Sequence, residues 1–302
     1  MLKSFIKAQG SQDVSFWENY FASQSFEYLV SSFSTDPLRP LFECYCSGGV
    51  RVLEGGCGLG NYLPCLRALG AKPVGLDFGV DMLQQVRRRE RQIPLTAGDI
   101  CSLPFGDKTL DAYYSGGVME HFEEGPARGL AEAYRVLKPG GILLVSVPYE
   151  NPIRRVLAHV QPKRGGLVTT TVAREGASKA PEGLSFFQYF YRGHEFRRHV
   201  TASGFDIVLE QPYSLWRGLT DLGPFRWVDN LYAGRSSNGH TPGFLTATKH
   251  EKAPSMHRSW LKTQLKHAIF AEDRTVPGVG VLVSAGCELA ANMRMYVCRR
   301  AA

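Results

Sequence analysis

One short stretch gathers the residue types that could hold a small, polar ligand. From Val50 to Asn61 the chain reads V-R-V-L-E-G-G-C-G-L-G-N: an apolar run, the acid Glu54, then Gly55, Gly56, Gly58 and Gly60. Glycine accepts positive φ and lets a ligand approach the backbone closely. The segment after it, N-Y-L-P-C-L-R-A-L, repeats Leu63, Leu66 and Leu69 near helical spacing. A helix that starts at such a turn offers unpaired amide groups to an anion. A second acid, Asp77, closes the apolar run P-V-G-L-D-F. A strand-end acid about 20 residues beyond a glycine turn can accept both ribose hydroxyls of a nucleoside. The chemistry these residues suit is recognition of a nucleoside-type ligand.

Two common ligands of glycine turns are disfavoured. A dinucleotide fingerprint that starts at Gly56 and Gly58 needs a third glycine where Asn61 stands, and one that starts at Gly55 meets Cys57 instead of glycine. A phosphate loop needs Lys followed by Ser or Thr, and neither is here. The run reads instead acid-x-G-x-G-x-G, which resembles motif I of the class I S-adenosylmethionine (SAM) methyltransferases. Three later stretches resemble the same family in the same order. They are A-G-D-I-C-S-L-P-F (97–105), L-D-A-Y-Y-S-G-G-V-M-E-H-F (110–122) and L-K-P-G-G-I-L-L-V-S-V-P (137–148). The resemblance covers residues 50–150 well, 185–212 fairly and the rest poorly. Within the superfamily the chain looks most like the small, type 11-like methyltransferases with this L-P-F and E-H pairing.

The resemblance implies a cofactor, SAM, and a set of residues around it. Gly55, Gly56, Gly58, Gly60 and Asn61 form the turn, and Gly56 and Gly58 admit the methionine moiety. Glu54 fixes the loop or meets the methionine amino group. Asp77 holds the ribose, Asp99 meets the adenine amino group, and Ile100 lies against the adenine ring. Phe78, Met82, Cys101, Ser115 and Gly116 complete the expected cofactor-binding set.

The sulfonium of SAM activates the methyl group, so the protein must hold a nucleophile in line with the C–S bond. Positioning can supply about 7–11 kcal/mol of a barrier. An oxygen nucleophile also needs a general base, worth about 10²–10⁴-fold. His121, just after the fourth core strand, is the first candidate; its competing role is a structural hydrogen bond in the E-H-F turn. His194, which opens the helix after an aromatic run, is the second. Tyr149 and Glu150 follow the fifth core strand and could face substrate. An amine or carboxylate acceptor would need no base.

The elements that must position these residues follow from periodicity. Strands are expected at 50–54, 73–77, 94–98, 110–115 and 141–147, and helices at 60–69, 80–91 and 127–137. Strands that alternate with helices give a parallel sheet with right-handed crossovers, and ligands bind beyond its carboxyl ends. Glu54, Asp77, Asp99 and Ser115 all fall at such ends. The expected fold class is α/β: a Rossmann-like seven-stranded sheet, six strands parallel and strand seven antiparallel between five and six, flanked by helices.

Residues 1–47 are expected to form an amino-terminal helical cap segment, with Trp17, Tyr20 and Phe21 on one helix face. Those aromatics either close on the cofactor and substrate or pack on the sheet edge. Residues 48–212 form the core, with an irregular insertion at 151–184 and the aromatic run F-F-Q-Y-F-Y (186–191) leading into a helix and strand six. Residues 213–292 form an insertion that builds a cap or a dimer surface, with an exposed loop at 235–243 and a helix from Ser259 to Phe270. Residues 293–302 supply the last core strand.

Composition narrows the rest. The chain has 302 residues and 44% hydrophobic residues, enough for a substantial core. Its seven cysteines include no pair of C-x-x-C units and read as reduced thiols with no metal site. The amino terminus lacks a signal-peptide h-region, and the apolar stretch Val279–Ala285 is far short of a membrane span. The expectation is a soluble, cytoplasmic protein, monomer or homodimer. The net charge of +7 is modest. Arg87, Arg88, Arg89 and Arg91 read as a solvated helix end, where the dipole favours cations. The expected partner is a small-molecule acceptor, hydrophobic or lipid-linked. Nucleic acid is disfavoured: after strand four, S-G-G-V replaces the (N/D)-P-P-(F/Y/W) tetrapeptide of enzymes that methylate base or amide nitrogen. An RNA or protein methyltransferase and a non-catalytic SAM-binding regulator remain as alternatives.

Overall fold

The computed structural model describes residues 1–6, 13–22, 24–160, 171–174, 183–215, 218–219, 272, 274–275 and 279–301. In chain order these form β1 (Leu2–Ile6), α1 (Val14–Ala22), α2 (Phe26–Ser32), α3 (Arg39–Tyr45), β2 (Arg51–Gly55), α4 (Tyr62–Ala68) and β3 (Lys72–Asp77). Then come α5 (Val80–Arg89), β4 (Leu95–Ala97), β5 (Leu110–Gly116), α6 (Ala127–Val136), β6 (Leu137–Pro148), α7 (Pro152–Val160) and β7 (Thr171–Arg174). The described chain closes with β8 (Ser185–Phe190), α8 (Gly193–Ala202), β9 (Phe205–Tyr213), α9 (Val279–Ala290) and β10 (Met293–Arg300). The loop expected at 235–243 and the helix expected at Ser259–Phe270 lie outside the described residues.

The main sheet has seven strands in the order β4-β3-β2-β5-β6-β10-β9. β4, β3, β2, β5 and β6 pair parallel. β10 runs antiparallel to both neighbours, so β9 points the same way as the other five. This is the expected six-plus-one sheet, with the antiparallel strand inserted between the fifth and sixth core strands.

Side-chain alternation builds two cores from one sheet. Leu53, Tyr113, Val145, Tyr296 and Cys298 face one side, where they meet Leu130, Val136, Phe196 and Val200 of α6 and α8. Val52, Ala112, Tyr114, Leu144, Met295 and Val297 face the other, against Leu41 and Phe42 of α3 and Leu66 of α4. A period of two with apolar residues on both faces is what a sheet covered on both sides requires.

Two features correct the expected layout. The amino-terminal segment is not helical throughout, because Leu2–Ile6 forms β1. The aromatic run 186–191 is not merely a lead-in, because its first five residues lie in β8. Both belong to a separate three-stranded antiparallel sheet, β7-β1-β8. Its pairs, such as Leu2↔Phe190 and Phe5↔Phe186, join residues that are far apart in sequence. Local periodicity carries no trace of such pairing. The sheet sets Phe5, Phe186 and Tyr189 into the core shared with α6.

Candidate active site

The carboxyl ends of β2, β3 and β5 converge on the glycine turn. Gly56, Gly58 and Gly60 have φ of +76°, +50° and +67°, the left-handed region that favours glycine. Space demands glycine too: a Cβ on Gly56 would stand 2.5 Å from Val118 Cγ2, and one on Gly58 3.0 Å from the Phe21 ring. Gly55 is still in β2, where a Cβ would run into the Tyr113 ring. Asn61 is half-buried at the start of α4.

Asp77 holds this turn in place. Its Oδ2 accepts from the Gly58 amide and its Oδ1 from the Gly79 amide, each at 2.8 Å. Burial raises its carboxyl above the ordinary range, and those amides pull it back down. Glu54 is 4% exposed, and its Oε2 has no hydrogen-bond partner among the described residues. Burial, then the neighbouring Asp77, pushes Glu54 well above the usual carboxylate range. Two acids crowded in an apolar site with one oxygen unsatisfied make a receptor for a cationic or hydrogen-donating ligand.

The other expected cofactor residues divide by placement. Asp99 is exposed at the rim and its Oδ1 accepts from the Cys101 amide at 2.8 Å; Cys101 is half-buried. Phe78 is exposed beside Asp77, and Gly116 is exposed at the end of β5. Met82 is buried and packs on Gly79. Ile100 points into the core, towards Gly129 and Met119. Ser115 is fully buried on the same strand face as Tyr113, which turns its hydroxyl into the core rather than to the strand end.

A second cluster lies just beyond the end of β5. Glu120 and His121 form a single 3₁₀ turn just after β5, Met119–His121. His121 is 8% exposed, with Nδ1 2.7 Å from the Phe187 carbonyl oxygen. A carbonyl only accepts, so Nδ1 carries the proton and Nε2 the lone pair. Burial drives the imidazole down to about 4, so it is neutral at physiological pH. Glu120, 2% exposed, lies beside it with Oε1 3.8 Å from Nε2, and burial pushes its carboxyl up to about 8.

Helix α1 spans the two clusters. Trp17 lies edge-on to the His121 ring at 4.7 Å and 6.2 Å from Phe187, while Phe21, one turn later, approaches Gly58. Phe16 packs on Phe187 at 5.5 Å. These rings connect the glycine turn to His121.

His194 is not brought to this cluster. It is exposed on the first turn of α8, the helix that packs against β9, and no described contact joins it to Glu54, Asp77 or His121. Tyr149 and Glu150 are engaged elsewhere. The Tyr149 ring stacks under Arg294 at 4.0 Å, and Glu150 pairs with Arg192 at 3.0 Å. Sequence reasoning missed Glu120, although it adjoins His121. It also missed Val118 and Phe187, which carry no signal beyond being apolar. No group of side chains suited to a metal ion occurs among the described residues.

Known proteins resemble this chain in sequence and fold. A family model described as "Methyltransferase domain" matches residues 53–145. A demethylmenaquinone methyltransferase of Corynebacterium kroppenstedtii is 36% identical over 176 residues, spanning 57% of this chain and 72% of that protein. A probable S-adenosylmethionine-dependent methyltransferase of Mycolicibacterium smegmatis is 34% identical over 100 residues. That match covers 33% of this chain and only 38% of the relative's length. An S-adenosylmethionine-dependent methyltransferase from Mesorhizobium loti shares the fold, with a TM-score of 0.51 at 16% identity over 89% of this chain and 100% of that one.

Proposed function

This chain belongs to the class I SAM-dependent methyltransferases, whose cofactor is SAM, and on that premise we propose that it methylates a small, hydrophobic or lipid-linked acceptor. The observation that carries the reading is α1. One short helix sets Phe21 on the glycine turn and Trp17 on His121, so a methyl donor and an acceptor could share one water-poor, aromatic-roofed cleft. An apolar roof favours an apolar acceptor, since burial of its surface drives binding. The name of the C. kroppenstedtii relative, a methyltransferase for a demethylmenaquinone, supports the same class.

The residues present fit SAM. Glu54 offers a buried carboxyl oxygen with no partner among the described residues, suited to the methionine ammonium. The glycine turn leaves no room for side chains at Gly56 and Gly58. Asp77 keeps acceptor lone pairs beyond the two amides it already holds, suited to ribose hydroxyls. Asp99, Phe78 and Cys101 line the rim where adenine would lie. When bound, SAM supplies a methyl group already activated by its sulfonium, and the sulfur keeps the C–S electron pair. The chain's own share is to orient the partners, exclude water under Trp17, Phe21 and Phe187, and take a proton at His121 Nε2.

Calorimetric titration of the purified protein with SAM and S-adenosylhomocysteine tests the reading. Saturable binding is expected, weakened at least about tenfold in Asp77→Ala, equivalent to about 1.4 kcal/mol. Transfer of a labelled methyl group to a demethylmenaquinone is then the first acceptor assay. Failure of both ligands to bind would sink the enzyme reading.

A further inference from the structure

The acceptor side of the cleft contains a group for which the reading above has no use. Glu120 is a buried acid with no cation beside it, and its Oε2 has no hydrogen-bond partner among the described residues. Desolvating a carboxyl group without pairing it is costly, so a protein that keeps one there gains something else from it. Its surroundings are specific. Oε1 faces His121 Nε2 at 3.8 Å. The same oxygen and Met293 Cε both border the space over Gly117, where a Cβ would lie 3.5 and 3.8 Å from them. Glu120 therefore sits between the end of β5 and the start of β10, against His121.

We propose that Glu120 is the proton partner of His121, so that the base on the acceptor side is the Glu120–His121 pair and the acceptor it serves loses a hydroxyl proton. This rests on the methyltransferase reading of the cleft. It deepens that reading by selecting an oxygen acid, such as a phenol- or enol-like acceptor, over a neutral amine or a carboxylate. The acceptor's O–H bond breaks and its proton passes to Nε2. The electron pair left behind takes the methyl group, at oxygen or at a conjugated carbon. The step starts with Glu120 ionised, its state above about pH 8, so His121 becomes an imidazolium whose Nδ1–H stays on the Phe187 carbonyl and whose new charge faces the Glu120 carboxylate.

Alone, neither member suits the task. Burial under Trp17 and Phe187 makes His121 a weak base, and burial makes Glu120 a weak acid. Together, one negative charge beside Nε2 favours its protonation, because opposite charges within about 4–6 Å stabilise each other. The two groups then titrate as one coupled system. Among the described residues, uncharged groups face them from three elements. Trp17 from α1, Phe187 from β8 and Met293 from β10 carry no charge. Tyr213 from β9 is the further titratable group that feels Glu120, and its hydroxyl donates to Ser146 Oγ at 3.0 Å. Glu120 acts through His121 and is a positioning residue.

Nitrogen-15 NMR of histidine-labelled full-length protein reads the coupling without SAM or acceptor. The variant His121→Asn identifies the His121 resonances. In the wild type the His121 Nε2 signal should move in a step centred at about pH 8, as Glu120 ionises beside it. Glu120→Gln should abolish that step, Glu120→Asp should retain it at a shifted pH, and Tyr213→Phe should leave it in place. A wild-type signal flat through this range, a step that survives Glu120→Gln, or one that vanishes in Tyr213→Phe would overturn the proposal. Calorimetry with SAM on the same samples separates the two ideas. An uncoupled pair with intact SAM binding removes only the partnership, whereas a coupled pair without SAM binding removes only the methyltransferase reading.

Discussion

Glycines at 56 and 125 share a backbone state but not a surrounding. Gly56 has φ +76° and a Cβ there would meet Val118 at 2.5 Å; Gly125 has φ +86° with nothing within 4 Å. Left-handed backbone costs a side chain about 1–2 kcal/mol. Gly125→Ala should lose about that much stability and leave SAM binding unchanged. Gly56→Ala should lose more stability, and SAM affinity should fall at least about tenfold, about 1.4 kcal/mol, because Val118 must move into the cleft. Denaturant midpoints and calorimetry check both, and equal effects of the two substitutions would refute the steric account. The alternate glycines were legible as a turn because glycine takes such φ at far less cost than a residue with a side chain. Which of them also face a neighbour was not legible, since Val118 and Phe21 arrive from other elements.

Helix α1 shows what periodicity can and cannot say. Trp17, Tyr20 and Phe21 repeat at helical spacing, and the helix is there. Its target was open, because a packing face names no partner. The structure supplies it: Trp17 covers His121 and Phe21 covers Gly58. Since burial lowers His121, Trp17→Ala should let water in and raise its pKa from about 4 towards the ordinary imidazole value of 6.5, as read by NMR titration. An unmoved value would mean that other rings keep the imidazole dry. Phe21→Ala should act on the cofactor instead. Aromatic contacts of this kind are worth about 0.5–1.5 kcal/mol, so SAM dissociation should quicken by up to about tenfold. Stopped-flow release measurements would reveal it. Strands β1 and β8 were not legible, because their pairing partners lie far away along the chain and a five-residue strand carries little pattern of its own.

Over the whole molecule the buried acids set a pH dependence. Glu120 rises from 4.5 to about 8 on folding, so between those values the unfolded chain has lost a proton that the fold retains. Stability therefore falls with rising pH across that window, by about tenfold in the folding constant per pH unit for one proton. Glu54 and Asp77 are raised as well and act in the same direction. His121 is lowered from 6.5 to about 4, so its contribution rises with pH between those values and opposes the acids there. Above pH 6.5 only the acids remain of these groups, and stability should decline towards pH 8. Glu120→Gln should flatten that decline. Thermal midpoints at the two pH values decide it, and identical slopes in wild type and variant would place the titrating group elsewhere. SAM should reduce the decline further, since its ammonium favours ionised Glu54. No helix among the described residues is long and apolar enough to cross a membrane.

The sequence by itself determined the parallel core and the glycine turn. Their information is local: an apolar run, a glycine at each left-handed position, an acid at a strand end, a helix beginning on cue. It also determined the six-plus-one sheet, through four ordered motifs whose family resemblance carried the topology. Tertiary structure alone decided the surroundings of His121. His121 was visible as a candidate, but the helix that buries it, the Phe187 carbonyl that fixes its tautomer, and the three-stranded sheet that brings Phe187 there come from segments separated by scores of residues. His194 carried the same chemical promise in sequence and was set on an exposed turn of α8. Burial and proximity across the chain, rather than residue type, separate the two histidines, and neither quantity is written in a local stretch of sequence.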